Sequence, residues 1–290
     1  MRELHWHKQA EWSFMLAGQA RITAVDQNGH NFVADVEPGD LWYFPGGIPH
    51  SIQGLGTDGC EFVLAFPDGG FSEDSTFAIT DMFAHMPKAA LAKNFGVSEA
   101  AFERIPKEER FIFQADVPPP LQQDAVRDPA GSVPQDMRFR LMQQSALESP
   151  GGRVRVADTR NFPISTQIAA ALVEVDPGRF REIHWHPNAD EWQYYISGTA
   201  RMTVFGAEAK ARTFDFRAGD VGYVPKSMIH FVENTGSDTL RFLELFRSPH
   251  FMDVSLAQWM ALTPHELVEA HLNVGDDFMA AIRKDKQPVV

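Results

Sequence analysis

Residues 181–192, REIHWHPNADEW, set two histidines, His184 and His186, on either side of a tryptophan, with Glu191 following beyond a short bend. On a β-strand residues i and i+2 face the same way, so the two imidazoles project together. His230, at the end of AGDVGYVPKSMIH (218–230), offers a third. One such pair alone is most simply two surface histidines. The same pattern, however, occurs at the other end of the chain: RELHWHKQAEW (2–12) carries His5, His7 and Glu11, and PGDLWYFPGGIPH (38–50) ends on His50.

The match continues between these points. GQARITAVD (18–26) aligns with GTARMTVFG (198–206), EFVLAF (61–66) with RFLELF (241–246), and PKAALAKNFGV (87–97) with PHELVEAHLNV (264–274). The offset is 179 from His5 to His184 and 180 from Glu11 to Glu191, so the second copy carries one extra residue between His186 and its glutamate. A period of this length means a duplicated domain. Within each copy, short runs rich in β-branched and aromatic residues (ARMTVF, DVGYVP, HFVEN, LRFLELF) alternate with Gly, Pro, Asn and Asp, the pattern of an all-β sandwich or barrel. Helical periodicity follows each sheet, around 80–105 and 255–283. The stretch from Glu108 to Phe139, with three consecutive prolines, reads as an extended linker. The expected domains are 1–136 and 137–290.

The copies differ at the front. The second has RVRVADTRNFPISTQIAAALVEVDPGRFREI (153–183) ahead of His184, whereas four residues precede His5. The expectation is a first barrel without its opening strands here, these being supplied from upstream of Met1.

At 290 residues, 44% hydrophobic and 22% charged, the chain has ordinary globular composition for two domains. A net charge of −13 opposes nucleic acid and anionic membranes as partners. The one cysteine, Cys60, excludes an internal disulfide and, in the apolar run CEFVLAF, reads as a buried inert thiol. No apolar run approaches the ~18–20 residues of a membrane span. A cytoplasmic location is expected, although an upstream segment could hold a signal.

Three imidazoles and one carboxylate suit manganese, iron, nickel or copper and leave octahedral positions free for substrate or dioxygen. Structural zinc sites favour four tetrahedral ligands, often cysteines. The metal ligands are therefore His5, His7, Glu11 and His50 in one copy and His184, His186, Glu191 and His230 in the other. Trp6 and Trp185 point away from them and are read as packing residues.

Gly178, His184, His186, Glu191 and Gly198 resemble the first cupin motif, and Gly219, Pro225, His230 and Asn234 the second. In the first copy His5, His7, Glu11, Gly18, Gly39, Pro45, Gly47 and His50 match, with Gly54 where an asparagine is usual. Through RELHWH, GDLWYFP, EWQYYISG and GDVGYVP the chain is most similar to the bacterial oxalate decarboxylases among the bicupins. That resemblance implies an all-β chain of two tandem cupin (double-stranded β-helix or jelly-roll) barrels with short helices and manganese in each. It also implies oxalate converted to formate and carbon dioxide with dioxygen as co-catalyst. A homo-oligomer, trimer or hexamer, is expected from the same likeness.

Such chemistry needs a cation for the carboxylates and an acid for the carbon left behind. Arg2 and Arg181 stand three residues before the first histidine of each copy. From spacing alone each is equally a solvated arginine; the resemblance makes it a carboxylate fork. In RFLELF, Glu244 shares parity with Phe242 and Phe246 and should face the interior, where the first copy has Leu64. The first copy instead has FSEDSTF at 71–77, in a connection of 20 residues between Phe66 and Pro87 against 17 between Phe246 and Pro264. Gly69 and Gly70 are plausible hinges. The family's decarboxylases carry a Ser-Glu-Asn-Ser lid whose glutamate donates the proton. SEDS keeps that residue as Glu73 but has Asp74 for asparagine, placing a charge beside the acid. The competing readings are an oxalate oxidase releasing hydrogen peroxide, a non-catalytic metal-binding bicupin, and a sugar-binding cupin isomerase, which leaves the lid unexplained.

Overall fold

The computed structural model describes residues 1–126 and 129–290. It divides into two compact units, Met1–Arg140 and Leu141–Val290. The first holds β1 (Arg2–Trp6), β2 (Glu11–Gly18), β3 (Ala20–Val25), β4 (Asn31–Val36), β5 (Asp40–Phe44), β6 (His50–Gly54), β7 (Cys60–Ala65), β8 (Phe77–Ala78) and β9 (Arg138–Arg140). They form two sheets, ordered β4-β3-β6-β1-β8 and β7-β2-β5-β9. Helices α1 (Ile79–His85), α2 (Lys88–Phe95) and α3 (Leu121–Asp124) complete the unit.

The second unit comprises β10 (Leu147–Ser149), β11 (Gly152–Ala157), β12 (Ala169–Val175), β13 (Phe180–Trp185), β14 (Glu191–Ser197), β15 (Thr199–Phe205), β16 (Ala211–Arg217), β17 (Val221–Val224), β18 (Ile229–Asn234), β19 (Leu240–Phe246) and β20 (Val254–Ser255). Its sheets run β16-β15-β18-β13-β20 and β10-β11-β12-β19-β14-β17. The helices α4 (Leu256–Ala261), α5 (His265–Leu272) and α6 (Asp276–Ala281) follow. Pro87 and Pro264 open α2 and α5; Gly96 and Asn273, both left-handed, close them.

Alternation explains the layers. Along β4 every second residue is buried, and along β15 Ala200, Met202 and Val204 turn inward. They meet Val173, Tyr195, Phe242 and Phe246 from the opposite sheet, so the core lies between the two sheets. Gly18 shows why glycine follows the glutamate strand: its φ is +72° and a Cβ would lie 2.4 Å from the Gly59 carbonyl oxygen.

β12 lies against β19, whereas β7, the counterpart of β19, ends its sheet among the described residues. Leu64, facing where Glu244 stands in the other unit, is therefore 39% exposed. Cys60 on the same strand is half-buried rather than fully buried, and burial pushes its thiol up.

The expected linker is largely anchored to the first unit; its residues 127 and 128 lie outside the described residues. Ile112 bridges to Arg2 on β1, Arg21 binds Asp124 and the Pro119 carbonyl, and β9 pairs with β5. Apolar side chains explain this: Met137 and Phe139 are buried. The boundary read at 136/137 falls just before β9.

Candidate metal centres

Each ligand set comes from three strands and a bend. In the first unit β1 supplies His5, with His7 just beyond it, β2 opens on Glu11, and β6 opens on His50 directly opposite His5. In the second, His184 on β13 faces His230 on β18, and β14 opens on Glu191. All eight residues are at most 3% exposed, and within each set the four ligand atoms lie within 4.8 Å of one another.

Main-chain carbonyls fix the imidazole tautomers. His5 Nδ1 donates to Glu3 O, His7 Nδ1 to Gln9 O and His50 Nδ1 to Ile48 O, at 2.6, 2.6 and 2.7 Å. His184 Nδ1 donates to Glu182 O, His186 Nδ1 to Met252 O and His230 Nδ1 to Met228 O, at 2.6, 2.7 and 3.0 Å. Each Nε2 is thereby left as a lone pair aimed inward.

The carboxylates are pinned by their other oxygen. Glu11 Oε1 accepts from Trp42 Nε1 and Ser13 Oγ, and Glu191 Oε1 from Gln193, whose carbonyl oxygen accepts from the Tyr195 hydroxyl. Glu191 Oε2 then stands 2.7 Å from His230 Nε2 and 3.1 Å from His186 Nε2. With the ring protons committed elsewhere, these are lone pairs facing one another. Glu191 Oε2 and the Nε2 atoms of His184, His186 and His230 have no hydrogen-bond partner. Such convergence is relieved by a cation, and three nitrogens plus one carboxylate fit a divalent transition metal.

The electrostatics agree. Burial, then His50 and Arg2, push the His5 imidazole down to about 3, so it is neutral and ready to ligate. The His184 imidazole is held well down by burial and Arg181.

Beyond the ligands the two sites differ. In both units the strand register shifts between arginine and histidine, at Arg2/His5 and Arg181/His184. On a regular strand positions three apart face opposite sides, so this bulge lets arginine and histidine share one. Arg2 donates to the Phe111 carbonyl, lies over the Phe111 ring and pairs with Glu73. Glu73 begins a 3₁₀ turn, Glu73–Ser75, and its side chain is 41% exposed. Arg181 is fully buried: Nε donates to Glu244 Oε1 at 3.1 Å, Nη2 to Asp253 at 2.7 Å and Nη1 to the Pro288 carbonyl at 3.2 Å. Lys286 holds the other oxygen of Asp253. Glu244 is buried as its parity with Phe242 and Phe246 requires, and burial pushes its carboxyl up despite Arg181.

Sequence reading missed several of these groups. Ser13 and Gln193 follow their glutamates at i+2, a parity that was available in the sequence. Asp253, Lys286 and the Phe111 and Pro288 carbonyls carry no local signal. Trp6 stacks on Phe77 and Trp185 meets Trp259 edge-on, both away from the ligands.

Two β-barrels, each with three imidazoles and one carboxylate converging on a common point, define a bicupin. The Cupin family model matches residues 1–102 and 140–279. The chain is 54% identical over 290 residues to oxalate decarboxylase OxdC of Bacillus subtilis (strain 168), covering all of this chain and 75% of that one. A structure of the Bacillus subtilis enzyme described for its Mn(II) centres superposes with a TM-score of 0.97 at 54% identity, covering 100% and 76% of the two chains. A mutant of the same enzyme, its Ser-Glu-Asn-Ser segment changed to Asp-Ser-Ser-Asn, gives 0.98 at 53% identity with the same coverage. The chain belongs to the oxalate decarboxylase family of bicupins.

Proposed function

We propose that the chain converts oxalate and a proton to formate and carbon dioxide at its first site, with Glu73 as proton donor and Arg2 as the carboxylate-binding cation. The observation that carries this reading is the Arg2–Glu73 pair beside the first ligand set, one partner nearly buried and the other 41% exposed. Arg2 keeps a second anchor at the Phe111 carbonyl, so it stays in place when an incoming carboxylate displaces Glu73. Its guanidinium then offers two parallel N–H donors to the dianion.

His5, His7, Glu11 and His50 would hold manganese in the first unit, and His184, His186, Glu191 and His230 in the second, in keeping with the Mn(II) centres of the Bacillus subtilis relative. A bound redox-active ion, with dioxygen as co-catalyst, supplies an electron sink that weakens the C–C bond of oxalate. Once carbon dioxide leaves, the remaining one-carbon fragment needs a proton, which Glu73 delivers from a carboxyl oxygen. No glutamate of the second unit meets its arginine in this exposed way. Arg181 is instead enclosed by Glu244 and Asp253, which supports a structural part for that centre, with Glu244 and Arg181 as its candidates for chemistry.

The proposal extends to a homo-oligomer, trimer or hexamer, supported by the exposed side chains of Trp192, Val221 and Tyr223 on neighbouring strands β14 and β17. It extends also to a cytoplasmic location. Among the described residues no helix is long and apolar enough to cross a membrane.

The test is product analysis with labelled oxalate on manganese-loaded protein. Formate and carbon dioxide in equal amounts support the reading. Hydrogen peroxide with two carbon dioxides per oxalate would make the chain an oxidase, and no turnover would leave it a metal-binding bicupin.

A further inference from the structure

Beside Arg2 stands a carboxylate that the chemistry above does not use. Glu3 is 2% exposed, on the first strand of its unit, and both its oxygens are fully engaged. Oε1 accepts from the Thr80 amide at 2.8 Å and the Thr80 hydroxyl at 2.5 Å. Oε2 accepts from the amides of Arg110 and Phe111, at 2.7 and 3.0 Å. Four donors from two distant segments thus close on one buried anion, the arrangement that makes such burial tolerable.

Each segment leads to one member of the Arg2–Glu73 pair. Thr80 lies just after β8, the short strand that returns the loop carrying Glu73 to β1. Phe111 gives its carbonyl to Arg2 and its ring to the Arg2 guanidinium. Phe111 also holds a left-handed backbone, φ 55°, which a bulky residue keeps only when its surroundings enforce it. Its amide is held by the Glu3 carboxylate, and its carbonyl accepts from the Glu3 amide at 3.1 Å.

The second unit lacks this arrangement. Glu182 has one hydroxyl donor, Ser255, and its Oε1 has no hydrogen bond. The residue matching Phe111 there is Pro288, whose carbonyl likewise accepts from the strand amide but which has no N–H to give.

We propose that Glu3 is a positioning residue that couples the end of the Glu73 loop to the seat of Arg2, so that proton donor and carboxylate clamp are held as one body. This rests on the proposed roles of Glu73 and Arg2. Loosening Glu3 lets the loop and the Phe111 segment move independently, and proton delivery loses its alignment.

The test compares wild type with Glu3→Gln, which replaces one acceptor oxygen by a donor, and with Thr80→Val, which removes only the hydroxyl. Amide hydrogen exchange is followed at 72–80 and 109–113, and formate and peroxide are scored at equal manganese content. Thr80→Val should speed exchange at Arg110 and Phe111, across the carboxylate from the altered side chain, while both metal sites still fill. Glu3→Gln should do so more strongly and lower formate output up to ~10²-fold, with peroxide rising, as misalignment of a catalytic group does. Should Glu3→Gln prove too unstable to purify, Thr80→Val carries the test alone. Exchange changes confined to residue 80 and its helix would overturn the coupling. So would faster exchange on both sides with an unchanged formate-to-peroxide ratio. If wild type makes no formate, the oxalate reading fails by itself, and the exchange data still decide whether Glu3 joins the two segments.

Discussion

Replacing Glu73 by alanine separates proton delivery from everything else the first site does. Glu73 ligates nothing in the His5, His7, Glu11 and His50 set, so metal content should stay at wild-type level. Its one ion pair, with Arg2, lies at an exposed edge, and such pairs contribute under about 1 kcal/mol, so the fold should survive. Arg2 retains the Phe111 carbonyl and ring, and substrate affinity should change little. What is lost is a general acid, commonly ~10²–10⁴-fold in rate, or ~3–5 kcal/mol of barrier. Formate formation should fall by that factor with KM nearly constant. The unprotonated fragment should surrender a second electron to dioxygen, so peroxide should rise as formate falls. The assay is labelled-oxalate turnover with formate and peroxide measured together, at equal manganese content, beside Glu244→Gln. Full formate output from Glu73→Ala together with its loss in Glu244→Gln would refute the reasoning and move the acid to the second unit.

Three other outcomes follow from the geometry. Metal analysis of the double variant His184→Ala/His186→Ala should lose about one equivalent per chain, because the second set is complete within its own unit; unchanged stoichiometry would reject that site. Gln193→Leu frees Glu191 Oε1 and should weaken metal binding at the second site ~10–100-fold by competition with a chelator. Burial would raise the Asp253 carboxyl, but Arg181 and Lys286 outweigh it and hold it at about 2, below the ordinary 3.8. A depressed carboxyl contributes stability above the unfolded value that is lost as pH falls through the folded one. Asp253→Asn should therefore cost about 2 kcal/mol near neutrality by denaturant titration, with the gap to wild type closing between about pH 4 and pH 2.

The ligand sets were legible because duplication repeated them: either HxH alone would have passed for surface histidines. The inward parity of Glu244 was legible within RFLELF itself, where it alternates with Phe242 and Phe246, and the comparison with EFVLAF showed that the first copy lacks it. Phe111–Phe113 was not, because an apolar triplet inside a proline-rich stretch looks the same whether it is solvated or laid along β1. The closure of Arg181 was equally hidden. Asp253 and the Lys286–Pro288 stretch come from distant segments that only tertiary packing brings together, and no local pattern distinguishes them from surface residues. The bulges at Arg2/His5 and Arg181/His184 escaped too; spacing placed an arginine near each site without showing how a three-residue step could reach the same face.

The second histidine of each ligand set is anchored differently in the two units, and this has a mechanical consequence. In the first unit His7 donates its ring proton to the Gln9 carbonyl, two residues along the same bend, and the Gln9 side chain in turn donates to Asp68 at the start of the loop carrying Glu73. In the second unit the corresponding proton goes to Met252, next to Asp253 in the loop that closes over Arg181. The second loop cannot move without untying a ligand's hydrogen bond, whereas the first meets its ligand through packing, the Phe71 ring lying edge-on to His7 with 5.8 Å between centroids. Equivalent ligands of a duplicated chain are thus tied to different parts of the fold, a door resting against the frame in one half and fastened to it in the other.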